Sequence, residues 1–335
     1  MSAPLVEVTR GGFVESRHYG SVAVTNSRGE LLASLGDPNF VTFIRSSCKP
    51  FQAMNAIFSG AAERYAFTKE EFAILCSSHY GEDDHRAVVD GILQKIGLPR
   101  TALLCGKPLS ISAPYCARQL RENIELLETN SDCSGKHSGF LAVCRHKGYP
   151  IENYNAPDHP MQRELLAILS HMFCLPEEEI LVAVDGCGVP VHGMPLASMA
   201  RAYARLTTPD VLDEPYRSAA ETLVDAMVSH PHLIAGTGGF CTELMTHTKG
   251  RLCGKIGAEA VYCIGVRGKD LGIAVKVEDG NFRALHPAVM EVLRQLDLVT
   301  EEELQLLSRF AAPTIKNDLG AVVGTIRPCF TLARA

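Results

Sequence analysis

Apolar and β-branched residues cluster into short runs at the start of the chain: Leu5 to Thr9, Ser21 to Thr25 and Leu31 to Leu35. Such runs predict strands, with Asn26-Ser27-Arg28-Gly29 as the turn between the last two. From about Ser47 the spacing becomes helical, through Gln52, Ala53, Ala56 and Ile57, and Gly60 closes the element. Thr68-Lys69-Glu70-Glu71 is a capping-box signal for a further helix. The apolar run Phe72-Ala73-Ile74-Leu75-Cys76 behind it reads as a buried strand leading to Ser77-Ser78. Spaced apolar residues predict helices over Arg86 to Ile96, Tyr115 to Glu128, Pro160 to Phe173 and Ala219 to Ser229. Glu179 to Val184 reads as a buried strand ending at Asp185-Gly186-Cys187-Gly188. Strand character returns at Val261 to Gly265, Gly272 to Val277 and Phe282 to Ala284, followed by helices at Pro287 to Leu296 and Glu301 to Phe310. β structure at both ends and helices between predict an α/β protein whose sheet is built from both termini. The expected organisation is one unit over 1–335, with a sheet lobe of 1–45 plus 250–335 and a mainly helical lobe of 46–249.

Bulk properties narrow the class. A hydrophobic content of 46% with 21% charged residues over 335 positions describes an ordinary globular protein with a substantial core. A net charge of −6 without a basic run argues against nucleic acid as a partner. No apolar stretch reaches the ~20 residues of a membrane helix, so no membrane partner is expected. Met1-Ser2-Ala3-Pro4 lacks a basic and apolar leader, which predicts a cytoplasmic protein. The twelve cysteines are then expected as reduced thiols. Cys76, Cys144, Cys174 and Cys263 sit in apolar runs and read as small buried hydrophobes, whereas Cys133 and Cys187 lie among glycines and polar residues.

Candidate chemistry begins at Arg45-Ser46-Ser47-Cys48-Lys49, an S-x-x-K match. On a helix start, Ser46 and Lys49 share one face, and a partly buried lysine that loses its proton can activate a serine hydroxyl. Asn130-Ser131-Asp132-Cys133 resembles S-D-N, and Gly254-Lys255-Ile256-Gly257 resembles K-T-G. In that order the three are the elements of serine β-lactamases and penicillin-binding proteins. Cys133 and Ile256 replace the expected Asn and Thr.

These blocks, with Ser77-Ser78-His79-Tyr80-Gly81-Glu82, Asn130 to His137, Asp185-Gly186-Cys187-Gly188, Lys255 to Glu259, Gly236-Thr237-Gly238 and Asn317 to Gly324, resemble the Rhizobium etli-type (type II) L-asparaginases over nearly the whole chain. The resemblance implies a serine β-lactamase-like fold with an antiparallel sheet, and hydrolysis of L-asparagine to L-aspartate and ammonia. It implies two Ser-Lys pairs, Ser46 with Lys49 and Ser78 with Lys255, with Ser46 as nucleophile and the reverse assignment left open. It further implies a zinc ion on Cys133, Lys136 and Cys187, and a homodimer. By the same analogy Asp185 is expected near the substrate ammonium, Arg45 near its carboxylate, and His137 as a substrate contact or support for a metal ligand. Gly135, Gly186 and Gly188 are expected to permit tight turns and to offer backbone amides to an oxyanion. The alternatives are another serine amidase or acylase, a penicillin-interacting enzyme, a cysteine hydrolase using Cys133 with His137, and a non-catalytic amino-acid-binding protein.

Overall fold

The computed structural model describes all 335 residues, which divide into two compact units. The first comprises Met1–Ser47, Gly193–Thr208 and Glu243–Ala335. Its centre is an antiparallel sheet in the order Thr314–Lys316, Val322–Pro328, Ala3–Arg10, Phe13–Thr25, Gly272–Val277, Val261–Val266 and Leu252–Gly257. Leu31–Leu35 also pairs with Phe13–Thr25, and Ala333–Arg334 pairs with Leu31–Leu35. The expected antiparallel sheet drawn from both ends of the chain is therefore present.

Every residue of Val261–Val266 and Gly272–Val277 is buried, which is why these strands read as continuous apolar runs and not as alternating ones. The helices Leu196–Thr207 and Phe282–Gln295 pack on them. A Cβ at Gly272 would lie 1.9 Å from the Ala200 carbonyl oxygen, so only glycine lets the first of these helices lie this close. Leu196–Thr207 falls in the stretch assigned from sequence to the helical lobe, yet it clusters with the sheet.

The second unit comprises Cys48–His192 and Pro209–Thr242 and is mainly helical. Its central helix, Ser134–Lys147, is buried continuously from Ser134 to Cys144 and packs on the helices Lys49–Phe58, Lys69–Leu75 and Asp83–Ile96. A Cβ at Gly135 would stand 2.1 Å from the Ile74 carbonyl oxygen, so this glycine sets the approach of two backbones.

Several expectations are corrected. Phe72 to Cys76 is helix, because the Thr68 capping box starts an element that runs through Leu75. Phe282 to Ala284 is the first turn of a helix: the Asn281 side chain accepts from the Arg283 amide and caps it. Leu181–Val184 is a strand, but it lies at a sheet edge with Leu181, Val182 and Val184 exposed. The helix expected over Tyr115 to Glu128 is Ala113–Arg121. Cys174 is half-buried, with φ 52°, at the C-cap of Pro160–Phe173. All twelve cysteines are free thiols, and Cys76, Cys144 and Cys263 are buried. No helix is long and apolar enough to cross a membrane.

Candidate active site

Lys49 is the first residue of the Lys49–Phe58 helix and is 1% exposed. Its Nζ donates to Ser77 O at 2.6 Å, to Ser78 Oγ at 3.1 Å and to Asp132 O at 3.1 Å. Three donors thus meet three oxygen acceptors, which is how a buried lysine head avoids the cost of unpaired burial. The Asp132 carboxylate adds a charge 3.6 Å away.

Ser78 is held by its own backbone. The short helix Lys69–Leu75 ends two residues before Ser77, whose hydroxyl closes on Ile74 O at 2.7 Å. The chain then runs extended, with Ser78 N and Tyr80 N donating to Ile234 O and Ala235 O. That second strip is fixed further along. The Glu82 carboxylate accepts from Thr237 N and Thr237 Oγ1, each at 3.0 Å, and His232 Nε2 lies 3.2 Å from Glu82 Oε2 and 2.9 Å from Asp84 Oδ2. Ligand-type atoms of Glu82, Asp84, His85 and His232 lie within 4.8 Å of one another. Both ring nitrogens of His85 are, however, committed to backbone: Nδ1 accepts from Glu82 N, and Nε2 donates to His232 O. The cluster thus pins the two strips that carry Ser78. His79, fully buried and depressed well below the ordinary histidine pKa by desolvation, accepts from Gly81 N and donates to Ser134 Oγ.

A sulfur-rich group lies in the same unit. Cys133 precedes the helix Ser134–Lys147, Lys136 is in its first turn, and Cys187 sits in the tight turn after Leu181–Val184. Lys136 Nζ is 3.1 Å from Cys187 Sγ, and the Cys133 thiol donates to Asp132 Oδ2 at 3.6 Å. Cys133, with Lys136 and His137, pulls Cys187 far below the ordinary thiol range. The neighbouring Cys187 sulfur, together with burial, pushes Cys133 up. Burial works against the charge on Lys136, but Cys133, Cys187 and Asp185 outweigh it and raise its pKa. Cys133 therefore stays a thiol, the opposite of what a cysteine nucleophile needs.

Burial depresses His137, and it holds the neighbouring His192 down to about 4 with help from Lys136. Asp185, half-buried, starts the turn that carries Cys187. The Gly186 amide donates to Asp185 Oδ1 and the Gly188 amide to Asp185 O, so these two amides are spent inside the turn and are not free for an oxyanion.

In the sheet unit, Lys255 lies on the Leu252–Gly257 strand, fully buried, with Nζ donating to Ile256 O at 2.7 Å. Its own carbonyl accepts from Ser47 Oγ at 2.8 Å. Tyr203 OH donates to Ser47 O, so Ser47 is a structural tie. Ser46 and Arg45 are half-buried on the same turn, where Arg45 takes φ 52°.

Lys49 and Ser78 are thus brought together, as are Cys133, Lys136, His137 and Cys187. Asp132 and Tyr154 belong with them and were given no role from sequence. Asp132 was visible in the S-D-x match, whereas Tyr154 carries no sequence signal.

Lys49 and Ser78 thus form a buried, hydrogen-bonded lysine–serine pair, and the sequence comparison gives the chain its family. The chain belongs to the L-asparaginase II family, whose profile matches residues 6–328. No curated protein matches the sequence. Among solved structures, the native form of Mglu aligns at 15% identity and TM-score 0.38, over 85% of this chain and 66% of that one. The chain thus spans just under two thirds of Mglu. A β-lactamase from Mycobacterium bovis aligns at 16% identity and TM-score 0.41, over 84% of this chain and 95% of that one. Likenesses this faint carry no inference about this chain.

Proposed function

We propose that this protein hydrolyses L-asparagine to L-aspartate and ammonia through the Ser-Lys pairs Ser46 with Lys49 and Ser78 with Lys255. The observation that carries this reading is the fully buried Lys49 amine, 3.1 Å from Ser78 Oγ, in a chain of the L-asparaginase II family. In the proposed reaction a serine oxygen attacks the carboxamide carbon while its proton passes to a lysine amine. The C–N bond breaks, and the nitrogen leaves as ammonia with that proton. Water then cleaves the acyl-serine ester, releasing aspartate and restoring the hydroxyl. Ser46 is the proposed nucleophile. The Lys49–Ser78 hydrogen bond favours a second assignment in which Lys49 first gives up one of its three protons, and Ser78 then attacks while the neutral amine takes the serine proton.

Asp185 and Arg45 are the proposed partners of the substrate's ammonium and carboxylate, and His137 contacts the substrate. Cys133, Lys136 and Cys187 are the proposed holders of zinc. Two sulfurs and an amine converge there, one sulfur is held far below the ordinary thiol range, and the donor set suits a borderline-soft cation. When bound, the ion would supply positive charge beside the substrate and require a neutral Lys136. A homodimer, a cytoplasmic location and a single catalytic unit over the whole chain are proposed from the family resemblance.

Ammonia release from L-asparagine and L-glutamine by wild type, Ser46→Ala and Ser78→Ala tests the reading. Strong preference for asparagine with loss in both variants supports it. Binding of asparagine without ammonia would replace it with an amino-acid-binding role, and turnover of other amides alone would make this a different amidase.

A further inference from the structure

Glu82, Asp84 and His232, all in the helical unit, each bring one ligand-type atom to a common spot. His232 Nε2 lies 2.9 Å from Asp84 Oδ2 and 3.2 Å from Glu82 Oε2. Neither oxygen is aligned with the ring's N–H direction, so neither contact closes a hydrogen bond. The spacing is instead that of neighbouring ligands on one ion: two bonds of about 2.1 Å at right angles hold their outer atoms about 3 Å apart. Charge points the same way. No lysine or arginine pairs with either carboxylate, and Arg86 on the same helix is taken by Asp83. His85 Nδ1 accepts from Glu82 N, so that ring is neutral. A protonated His232 would balance only one of the two carboxylates.

Other atoms of the same residues aim the group. Glu82 Oε1 accepts from Thr237 N, Asp84 Oδ1 accepts from His85 N at 2.9 Å, and the His232 carbonyl accepts from His85 Nε2. The His232 ring stacks on His85 at 5.1 Å and 13°. Outer contacts of this kind orient metal ligands and leave the ligating atoms unspent. Glu82 Oε2 also accepts from Thr237 Oγ1 and retains a second lone pair. Asp84 is exposed and His232 half-buried, so an ion can enter and water can complete its shell.

We propose that Glu82 Oε2, Asp84 Oδ2 and His232 Nε2 form a binding site for a divalent transition-metal cation, separate from the sulfur set of Cys133, Lys136 and Cys187. Two carboxylates and an imidazole suit the harder members of that series, whereas thiolates select the softer ones. Glu82 and Asp84 lie on the strip that carries Ser78, and His232 leads into Ile234 and Ala235, whose carbonyls accept from Ser78 N and Tyr80 N. A bound ion therefore clamps the two strips together behind Ser78.

The test is a Mn2+ titration of the chelator-stripped full chain, with free Mn2+ read by its EPR signal, beside amide hydrogen exchange with and without the ion. Wild type is expected to bind a single Mn2+ per chain and to slow exchange at the Ser78 and Tyr80 amides. Asp84→Asn, which keeps the oxygen facing His85 N, and His232→Gln should each weaken binding by roughly tenfold or more. Cys187→Ala should bind Mn2+ as wild type does. Absence of binding to wild type at millimolar Mn2+, equal affinity in Asp84→Asn and His232→Gln, or loss in Cys187→Ala overturns the site. Binding without slower exchange overturns the clamp. Should one ligand variant fail to fold, the other decides with the wild-type titration. None of these readouts uses L-asparagine, so they judge the site whatever the substrate proves to be.

Discussion

Two lysines of the helical unit are equally buried and differently employed. Lys49, 1% exposed, spends its three donors on oxygens, one of them the Ser78 hydroxyl. Lys136, 3% exposed, meets the sulfur of Cys187. An amine held by a hydroxyl can exchange a proton with it. One held against a thiolate is locked as a cation until a metal or a proton change displaces it. The comparison teaches that burial alone does not identify a catalytic lysine: the acceptor set does.

The difference can be broken most severely at Lys136. Replacing it with Met leaves the half-buried Cys187 sulfur without its cation, a loss smaller than the roughly 3–5 kcal/mol of a fully buried pair. Urea unfolding of Lys136→Met should show that loss, together with weaker zinc uptake by equilibrium dialysis. An unchanged midpoint would mean that the sulfur is not charged.

A smaller effect sharpens the electrostatics around the same lysine. His192 is 2% exposed and held down to about 4, against about 6.5 for the unfolded ring. A base whose folded pKa is depressed costs nothing above the unfolded value. Below it, the unfolded state takes up the proton first, so stability is lost as pH falls from about 6.5 to about 4. The full loss is up to about 3 kcal/mol for this group. His192→Leu should flatten that part of the pH–stability curve, and an equally steep curve would assign the slope to His79, His85 or His137, which are also depressed.

The smallest effect lies upstream of Ser78. Thr68 and Glu71 cap the helix that delivers Ser77 and Ser78. Thr68→Ala should lower stability by about 1 kcal/mol in urea titrations. A change in ammonia release with stability untouched would contradict a purely structural role for that cap.

How much of this was legible beforehand depended on whether the signal was local. The fully buried strands Val261–Val266 and Gly272–Val277 were readable because burial on both faces leaves unbroken apolar runs. The central helix Ser134–Lys147 was not, since it is buried on every side and lined with Gly135 and Gly139 against Ile74 and Leu75. Such a helix has no polar stripe to reveal its period. Ser78 and Lys49 were found as motif members, but their hydrogen bond joins positions 29 residues apart, and no spacing rule encodes it. Tyr154 was invisible for the same reason, as its phenol reaches Leu104, 50 residues away. Strand Leu181–Val184 misled in the other direction: its apolar residues suggested burial, and the edge position exposes them.

The most direct test of the contrast between the two lysines is ammonia release from L-asparagine by Lys49→Met, assayed beside wild type at matched folded fraction. Loss of a positioned proton acceptor should lower kcat by roughly 10²–10⁴-fold, with KM little changed. Retention of near-wild-type turnover by Lys49→Met would contradict the account, and the oxygen-held lysine would then be a structural anchor for the Ser78 loop.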